Sequence, residues 1–495
     1  MSEMTTTSRD VIVIGAGISG LTAAWRLKQA GVDVCVLESE HEVGGAMRTE
    51  RRDGFLLEKG PFNVIVRDGA FEQLLKDLGD EIEVIEASRS AAQARYVLHD
   101  DRLCKVPSNP LDLVTTPLLT LGGKARLVRG LVASRRPTAD DESIDNATRR
   151  RFGPEVADRL VSALCVGIFA AESRELSLSA CLPSAAEIDT QSRSPLGFMI
   201  AKRFRQRRNA KTSRRWRGLV SFRQGLGELP KILAAQLGQA LFTSCRALAI
   251  RKVIRGYEIS CSIKGGTGPT FRTDQLVLAV PKSATATVLG DVAPEISKQI
   301  KAIPSSGLIV LNLGFERRHV GHPLDGYGFL VPATSASFPL LGVLWADSVF
   351  EHHAPPKHRL LRVFMGGSRR PDMLTKSDKE LVDIACTALR DLLRLTSEPV
   401  LIDVCRWPDA IPQYRPGHVQ RVAQINQHLG HYPGLHLIGN YLDGISINDC
   451  VRTASRAASE IARHIQATKQ SHQHQETNDH CPATRQAIAA TSSSS

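Results

Sequence analysis

The chain has 495 residues, 42% of them hydrophobic and 5% aromatic, a composition that suits a globular protein of two or three domains and excludes a fibrous or low-complexity one. Its formal charge of +12 attracts polyanions, whether nucleic acid, anionic headgroups or carboxylate-rich small molecules. Ten scattered cysteines form no C-x-x-C pair and no zinc-ligand spacing, implying a reducing, cytoplasmic setting and no metal. No run of about 18 uncharged apolar residues implies a membrane span, and Met1–Arg9 lacks the make-up of a secretory signal.

In chain order, Asp10–Ile14 is a β-branched run, Leu21–Ala30 carries apolar residues at helical spacing up to Gly31, and Val32–Leu37 is a second buried-type strand. Together they make a β-turn-α-β unit with parallel strands. Its turn, in VIVIGAGISGL, sets Gly15, Gly17 and Gly20 as G-x-G-x-x-G between strand and helix. Gly15 permits the tight turn, Gly17 lets a pyrophosphate approach the backbone, and Gly20 lets the helix close on the strand, while the helix N-terminus faces the negative charge. Glu38 ends the second strand, 18 residues beyond Gly20, where a carboxylate can accept from a ribose diol. NAD and FAD share that adenosine diphosphate, so the fingerprint alone leaves both open. The next stretch, ESEHEVGGAMRTERRDGFLLEKGP, adds Gly44, Gly45 and Arg48, then Glu58, Gly60 and Pro61. It resembles the extended motif of the glutathione-reductase-like FAD folds, in which a second glycine pair and an arginine lie over the pyrophosphate and the isoalloxazine.

Leu111–Met199 reads as a helical insertion carrying Lys124, Arg126, Arg129, Arg135 and Arg136, and Lys202–Arg217 crowds nine lysines and arginines. A solvated basic loop or an anionic-lipid contact fits that crowding. Only Phe204 and Trp216 could stack among the charges, so no nucleic-acid partner is expected. Gly218–Gly238 reads as a strand and a helix, and Leu241–Val280 as short β-runs. Ile309–Gly366 is β-rich and Lys379–Leu395 an amphipathic helix, together a second sheet with helical backing. Gly434–Gly439 is one more strand and Asp449–Gln466 one more helix, introduced by Gly444 and an Asn448–Asp449 cap. The remainder lacks the apolar surface to order itself. The expected fold is α/β (α+β overall). A FAD-binding Rossmann domain takes residues 1–90, 218–285 and 400–466, a β-sheet substrate domain 91–108 and 286–399, a helical domain 109–217, and a disordered tail 467–495.

Beyond the glycines, GIFAAESRELSLSACLP, GLVSFRQGLGELP, WPDAIPQYRPGHVQRV and GLHLIGNYLDGISINDCVRTASRAA are similar to segments of the protoporphyrinogen oxidase family within the flavin amine-oxidase superfamily. The resemblance runs from about Val11 to Ile465. It implies non-covalent FAD held at Gly15, Ala16, Gly17, Ile18, Ser19 and Gly20, at Glu38 and Ser39, and at Gly45, Ala46 and Arg48. It implies further contacts at Gly60, Pro61, Phe62 and Asn63, at Cys245 through its backbone, near Trp407, and at Gly439, Ile445, Ser446 and Ile447. Cys245 stands where the family has a valine, and the register there could differ by two. Substrate positions carried over are Leu330, Leu344 and Phe364 for a flat apolar slot and Arg95 as a propionate anchor. The implied chemistry is oxidation of protoporphyrinogen IX to protoporphyrin IX in three two-electron steps. Each takes hydride from a meso carbon and a proton from a pyrrole, with molecular oxygen as final acceptor and hydrogen peroxide as product.

Coproporphyrinogen III is the close alternative, an amine or carotenoid oxidoreductase a second, and a non-enzymatic lipid- or RNA-binding protein a third. Catalytic residues stay unassigned: His99, His322, His418 and His436 are isolated, and hydride abstraction above a flavin can proceed by positioning alone. Peripheral contact with the inner, anionic face of the cell membrane is expected of the basic helical insertion. Oligomeric state is open, a homodimer included.

Overall fold

The computed structural model describes residues 6–66, 69–133, 141–191, 216 and 218–479, with positions 194 and 197. Arg135, Arg136 and the basic stretch Lys202–Arg217, Trp216 apart, lie outside the described residues.

Two sheets position the site. The first is parallel, in the order Leu241–Phe242, Val34–Leu37, Val11–Ile14, Gln275–Leu278, Leu435–Leu437. Its three central strands are buried along their whole length, as strands covered on both faces must be, and this explains their unbroken apolar sequences. The helix Ile18–Gln29 crosses between the first two of these strands in sequence.

The second sheet has seven strands in the order Leu401–Pro412, Ser305–Glu316, His358–Gly366, Gly342–Trp345, Gly328–Leu330, Arg95–His99, Arg102–Lys105. One face packs Leu98, Ile309, Leu311, Leu313, Phe329, Val343, Leu361 and Val363 against Leu381, Ala385 and Leu389 of the helix Asp378–Leu393. Each such leucine is worth about 2 kcal/mol of burial, so the helix holds that face shut. Period-two alternation sends the intervening residues to the other face. There the register lines up Arg95, Gly328, Leu344, Arg362, Asn312 and Asp403 in one row, and Leu330, Gly342, Phe364, Val310 and Cys405 in the next.

Two boundaries differ from those read in the sequence. Leu401–Pro412, given there to the nucleotide-binding region, is an edge strand of the second sheet paired with Ser305–Glu316. The last helix runs Ile447–Asp479, beyond Gln466 and into the stretch read as a disordered tail. The Lys469–Asp10 ion pair at 2.8 Å ties it down past the end of its apolar stripe.

Candidate flavin and substrate site

At the C-terminal end of the parallel sheet, Gly15 adopts φ +104 and donates its N–H to the Leu37 carbonyl at 2.8 Å. A Cβ at Gly20 would run into the Gly15 carbonyl oxygen, so helix and turn pack as closely as the fingerprint requires. Above Gly17 the space is open: a Cβ there would meet nothing within 4 Å. The helix Ile18–Gln29 starts without a side-chain cap and without an acidic residue in its first turn, so its N–H groups and positive dipole end face that space unneutralised. The Gly44 N–H donates to the Ala16 carbonyl at 2.8 Å, and a Cβ on Gly45 would stand 3.5 Å from the Gly17 Cα, laying the second glycine pair directly on the first turn. Glu38 is buried, its carboxylate accepting from the Ala16 N–H at 2.6 Å, the Glu40 N–H at 2.9 Å and the Ser39 hydroxyl at 3.2 Å.

The other end of the chain closes on the same place. Ser19 lies beside Cys450, and Ile18 shares a core with Ile447, Val451 and Ala454. The N-termini of the first and last helices therefore stand side by side. Ser446 caps the last helix, its hydroxyl accepting from the Asp449 N–H at 3.2 Å while the Asp449 carboxylate takes the Ser446 N–H at 3.3 Å. This capping box replaces the expected Asn448–Asp449 cap, and the Asn448 amide instead donates to the Ile65 carbonyl at 2.9 Å. The turn from Gly439 to Ile445 is tied by Tyr414, whose hydroxyl donates to the Asn440 carbonyl at 2.6 Å and accepts from the Gly444 N–H at 3.0 Å.

Between these ends lies the Gly60–Asn63 loop, hung from that other face of the second sheet. Arg362 donates to the carbonyls of Glu58 and, at 2.8 Å, Gly60. Trp407 Nε1 donates to the Lys59 carbonyl at 2.8 Å, and Asn63 Nδ2 to the Tyr327 hydroxyl at 2.6 Å. Ala46 packs against Gly60, and the Phe62 ring is buried under the Arg362 guanidinium, 5.3 Å away, leaving only the backbone of that residue to face a ligand. Arg362 is fully buried, and burial pulls its pKa down to about 10, while its Nε has no partner among the described residues. Burial likewise pushes Glu58 up to about 7, although the Leu226 N–H and the Thr49 hydroxyl each donate to its carboxylate at 2.7 Å. Arg48 Nε is buried without a partner among the described residues, and its charge acts on Cys405.

Leu330, Leu344 and Phe364 are half-buried on the same face, with helix Ser162–Phe169 over them: a Cβ on Gly167 would come within 2.7 Å of the Leu330 side chain. Arg95 is exposed at the end of the row, its Cζ 5.4 Å from the Tyr327 ring centre, with no carboxylate partner among the described residues. At the adenosine end, the Cys245 N–H is taken by the Glu38 carbonyl at 2.7 Å. Strand alternation puts the Ala247 N–H and C=O on the same outer edge, two residues along.

The four isolated histidines are engaged elsewhere. His418 stacks on Tyr414 with ring centres 3.9 Å apart, and His436 meets the Gln275 amide oxygen at 2.8 Å, burial pulling it down to about 4. His322 accepts from the Leu324 N–H at 3.0 Å, and His99 lies 3.6 Å from Asp100. Sequence reading missed Arg362, Tyr327 and Tyr414. A lone arginine amid the apolar residues of HRLLRVFMG was the available signal for the first; nothing marked the tyrosines.

The residues fit a flavin dinucleotide: an uncapped helix end and an open glycine cradle for the diphosphate, an oriented carboxylate for the ribose, and, for the ring, Arg48, whose Nε has no partner among the described residues. Comparison with known proteins agrees. The profile of the flavin containing amine oxidoreductases matches residues 18–462. The coproporphyrinogen III oxidase of Bacillus subtilis (strain 168) is 28% identical over 92% of this chain and 98% of its own. The chloroplastic protoporphyrinogen oxidase 1 of Arabidopsis thaliana is 29% identical over 92% and 88%. A solved structure from Exiguobacterium sp. 255-15, provisionally assigned as a protoporphyrinogen oxidase, superposes with a TM-score of 0.75 over 93% of this chain and 100% of its own at 24% identity. Putrescine oxidase superposes at 0.66 over 92% and 99% with 17% identity. These two likenesses establish the fold.

Proposed function

The chain belongs to the flavin containing amine oxidoreductases, and from that premise we propose that it binds FAD non-covalently and oxidises protoporphyrinogen IX to protoporphyrin IX, with molecular oxygen as acceptor and hydrogen peroxide as product. One observation carries the reading: Leu330, Leu344 and Phe364 share a sheet face with Arg95, which has no carboxylate partner among the described residues, and with the arginine that holds the Gly60–Asn63 loop. Such a face offers a flat apolar ligand a platform and its carboxylate a guanidinium at the rim. The names of the relatives support the same class of substrate.

FAD, when bound, supplies the two-electron acceptor. The chain's own residues do the rest. The Gly17–Gly20 amides at the first helix end hold the diphosphate, and Glu38 accepts from the ribose. Ala247, rather than Cys245, offers a free backbone edge to the adenine. Leu330, Leu344 and Phe364 exclude water and hold the macrocycle flat, while Arg95 fixes its register through a propionate. No side chain is assigned as base, and the pyrrole proton leaves to water or a carbonyl. Cys405 stays a protonated thiol, its pKa raised by burial, which suits a cofactor held without a covalent bond.

The relative named for coproporphyrinogen III keeps that substrate as the second reading. Anaerobic mixing with each porphyrinogen decides. Bleaching of the flavin at 1:1 mixing, with porphyrin fluorescence appearing, is expected for protoporphyrinogen IX; bleaching by coproporphyrinogen III alone would shift the assignment, and bleaching by neither would end it. Acid precipitation should leave the flavin in the supernatant.

Membrane contact belongs to the same proposal. Leu111, Val114, Leu121, Val128 and Val132 are exposed beside Lys124 and Arg129, an apolar and cationic surface suited to an anionic bilayer. No described helix is long and apolar enough to cross a membrane. Co-sedimentation with anionic vesicles should occur at low salt and fade at high salt.

A further inference from the structure

Tyr327 touches both ends of the proposed substrate contact. It precedes strand Gly328–Leu330, its N–H donating to the Ala94 carbonyl at 2.8 Å and its own carbonyl accepting from the Trp345 N–H at 3.1 Å, so its backbone is fixed on two sides. Its ring carries the Arg95 guanidinium at 5.4 Å, and its hydroxyl accepts from the Asn63 amide at 2.6 Å. The start of the Gly60–Asn63 loop is held by Arg362 and Trp407, whereas the side-chain hold at its far end is this tyrosine.

We infer that Tyr327 is a positioning residue that couples the carboxylate anchor to the flavin-facing loop, a role that rests on the porphyrinogen reading above. The ring preorients Arg95, which has no carboxylate partner among the described residues, through a cation–π contact that leaves the guanidinium's N–H fork free for a propionate. The hydroxyl fixes the Asn63 amide and with it the distance between loop and slot. Burial raises the Tyr327 pKa, so the group stays an uncharged acceptor instead of a phenolate that would pin both neighbouring guanidiniums, Arg95 and Arg362. Ring and hydroxyl thus act on separable quantities: substrate affinity through the ring, and geometry of the reacting complex through the hydroxyl.

The test separates them. Tyr327→Phe keeps the ring and loses the acceptor; kcat should fall about tenfold with KM and the fluorescence-quench Kd for the porphyrin product held within about twofold. Tyr327→Leu loses both, and should add a roughly tenfold weaker Kd, matching Arg95→Ala. Asn63→Ala should reproduce the kcat loss of Tyr327→Phe, and the double variant should be no slower than either single one. A wild-type kcat per bound flavin in Tyr327→Phe, or additive losses in the double variant, would overturn the coupling. So would variants that merely lose flavin and melting temperature together. A wild-type protein that oxidises neither porphyrinogen sinks the parent reading and this inference with it, whereas an active wild type beside an unaffected Tyr327→Phe sinks the inference alone.

Discussion

The proposed cofactor end and the proposed substrate end of this site are built from different material. Around Gly15–Gly20 and Gly44–Gly45 the work falls to backbone amides, a helix dipole and the missing side chains of glycine, all supplied by short contiguous stretches. The substrate face takes one or two side chains from each of several strands, brought together by the register from Arg95 to Cys405. A backbone-built site tolerates no added atoms but accepts many side chains nearby; a register-built site tolerates conservative change but depends on each strand's alternation.

The sharpest break should come at the cofactor end. Gly20→Val puts carbon atoms where the Gly15 carbonyl already stands, overpacking that costs on the order of 3 kcal/mol and displaces the turn. The purified variant should be colourless and stay so after FAD addition, read by absorbance near the flavin band. Next, Arg362→Leu would orphan the carbonyls of Glu58 and Gly60, lowering unfolding free energy by about 3 kcal/mol in a urea titration of the flavin-loaded protein. A loss below about 1 kcal/mol would mean the loop is held by something other than the sheet.

Arg95→Ala, at the exposed rim, should leave stability unchanged and raise KM about 10- to 100-fold with kcat nearly constant, as removal of uniform binding does. Equal effects on KM and kcat would reject anchoring. A pH-dependent effect concerns Glu58. Its folded pKa of about 7 lies above the ordinary 4.5, so between those values the folded protein keeps a proton that the unfolded chain has released. Its contribution to stability is therefore full below about pH 4.5 and declines as pH rises through 7. Glu58→Gln should flatten that part of the stability–pH profile, and an unchanged slope would show that the carboxylate ionises freely in the folded protein.

The same contrast explains what could be read in advance. The first strand, turn and helix, the Glu38 carboxylate and the Gly44–Arg48 stretch were legible because each acts through local sequence. The second sheet's other face was reached through Leu330, Leu344, Phe364 and Arg95 by family likeness, since nothing in an alternating strand says which face meets a ligand. Arg362 is obscured by its surroundings, an arginine inside an apolar run whose partners are backbone carbonyls some 300 residues earlier. Tyr327 and Tyr414 act through hydroxyls whose partners are set by the tertiary fold. Cys245 shows the limit of register by likeness: its N–H is given to the Glu38 carbonyl, a pairing that only the tertiary fold reveals.

The central claim is that a single dinucleotide spans from the Gly15–Gly20 turn to the paired helix ends and presents its ring to the second sheet's other face. A crystal structure of the FAD-loaded protein tests this most directly. The account predicts the diphosphate on the Gly17–Ser19 amides and the isoalloxazine between Ile445–Ile447 and the face bearing Leu330, Leu344 and Phe364. A ring lying away from that face, or a diphosphate off the first helix end, would contradict it.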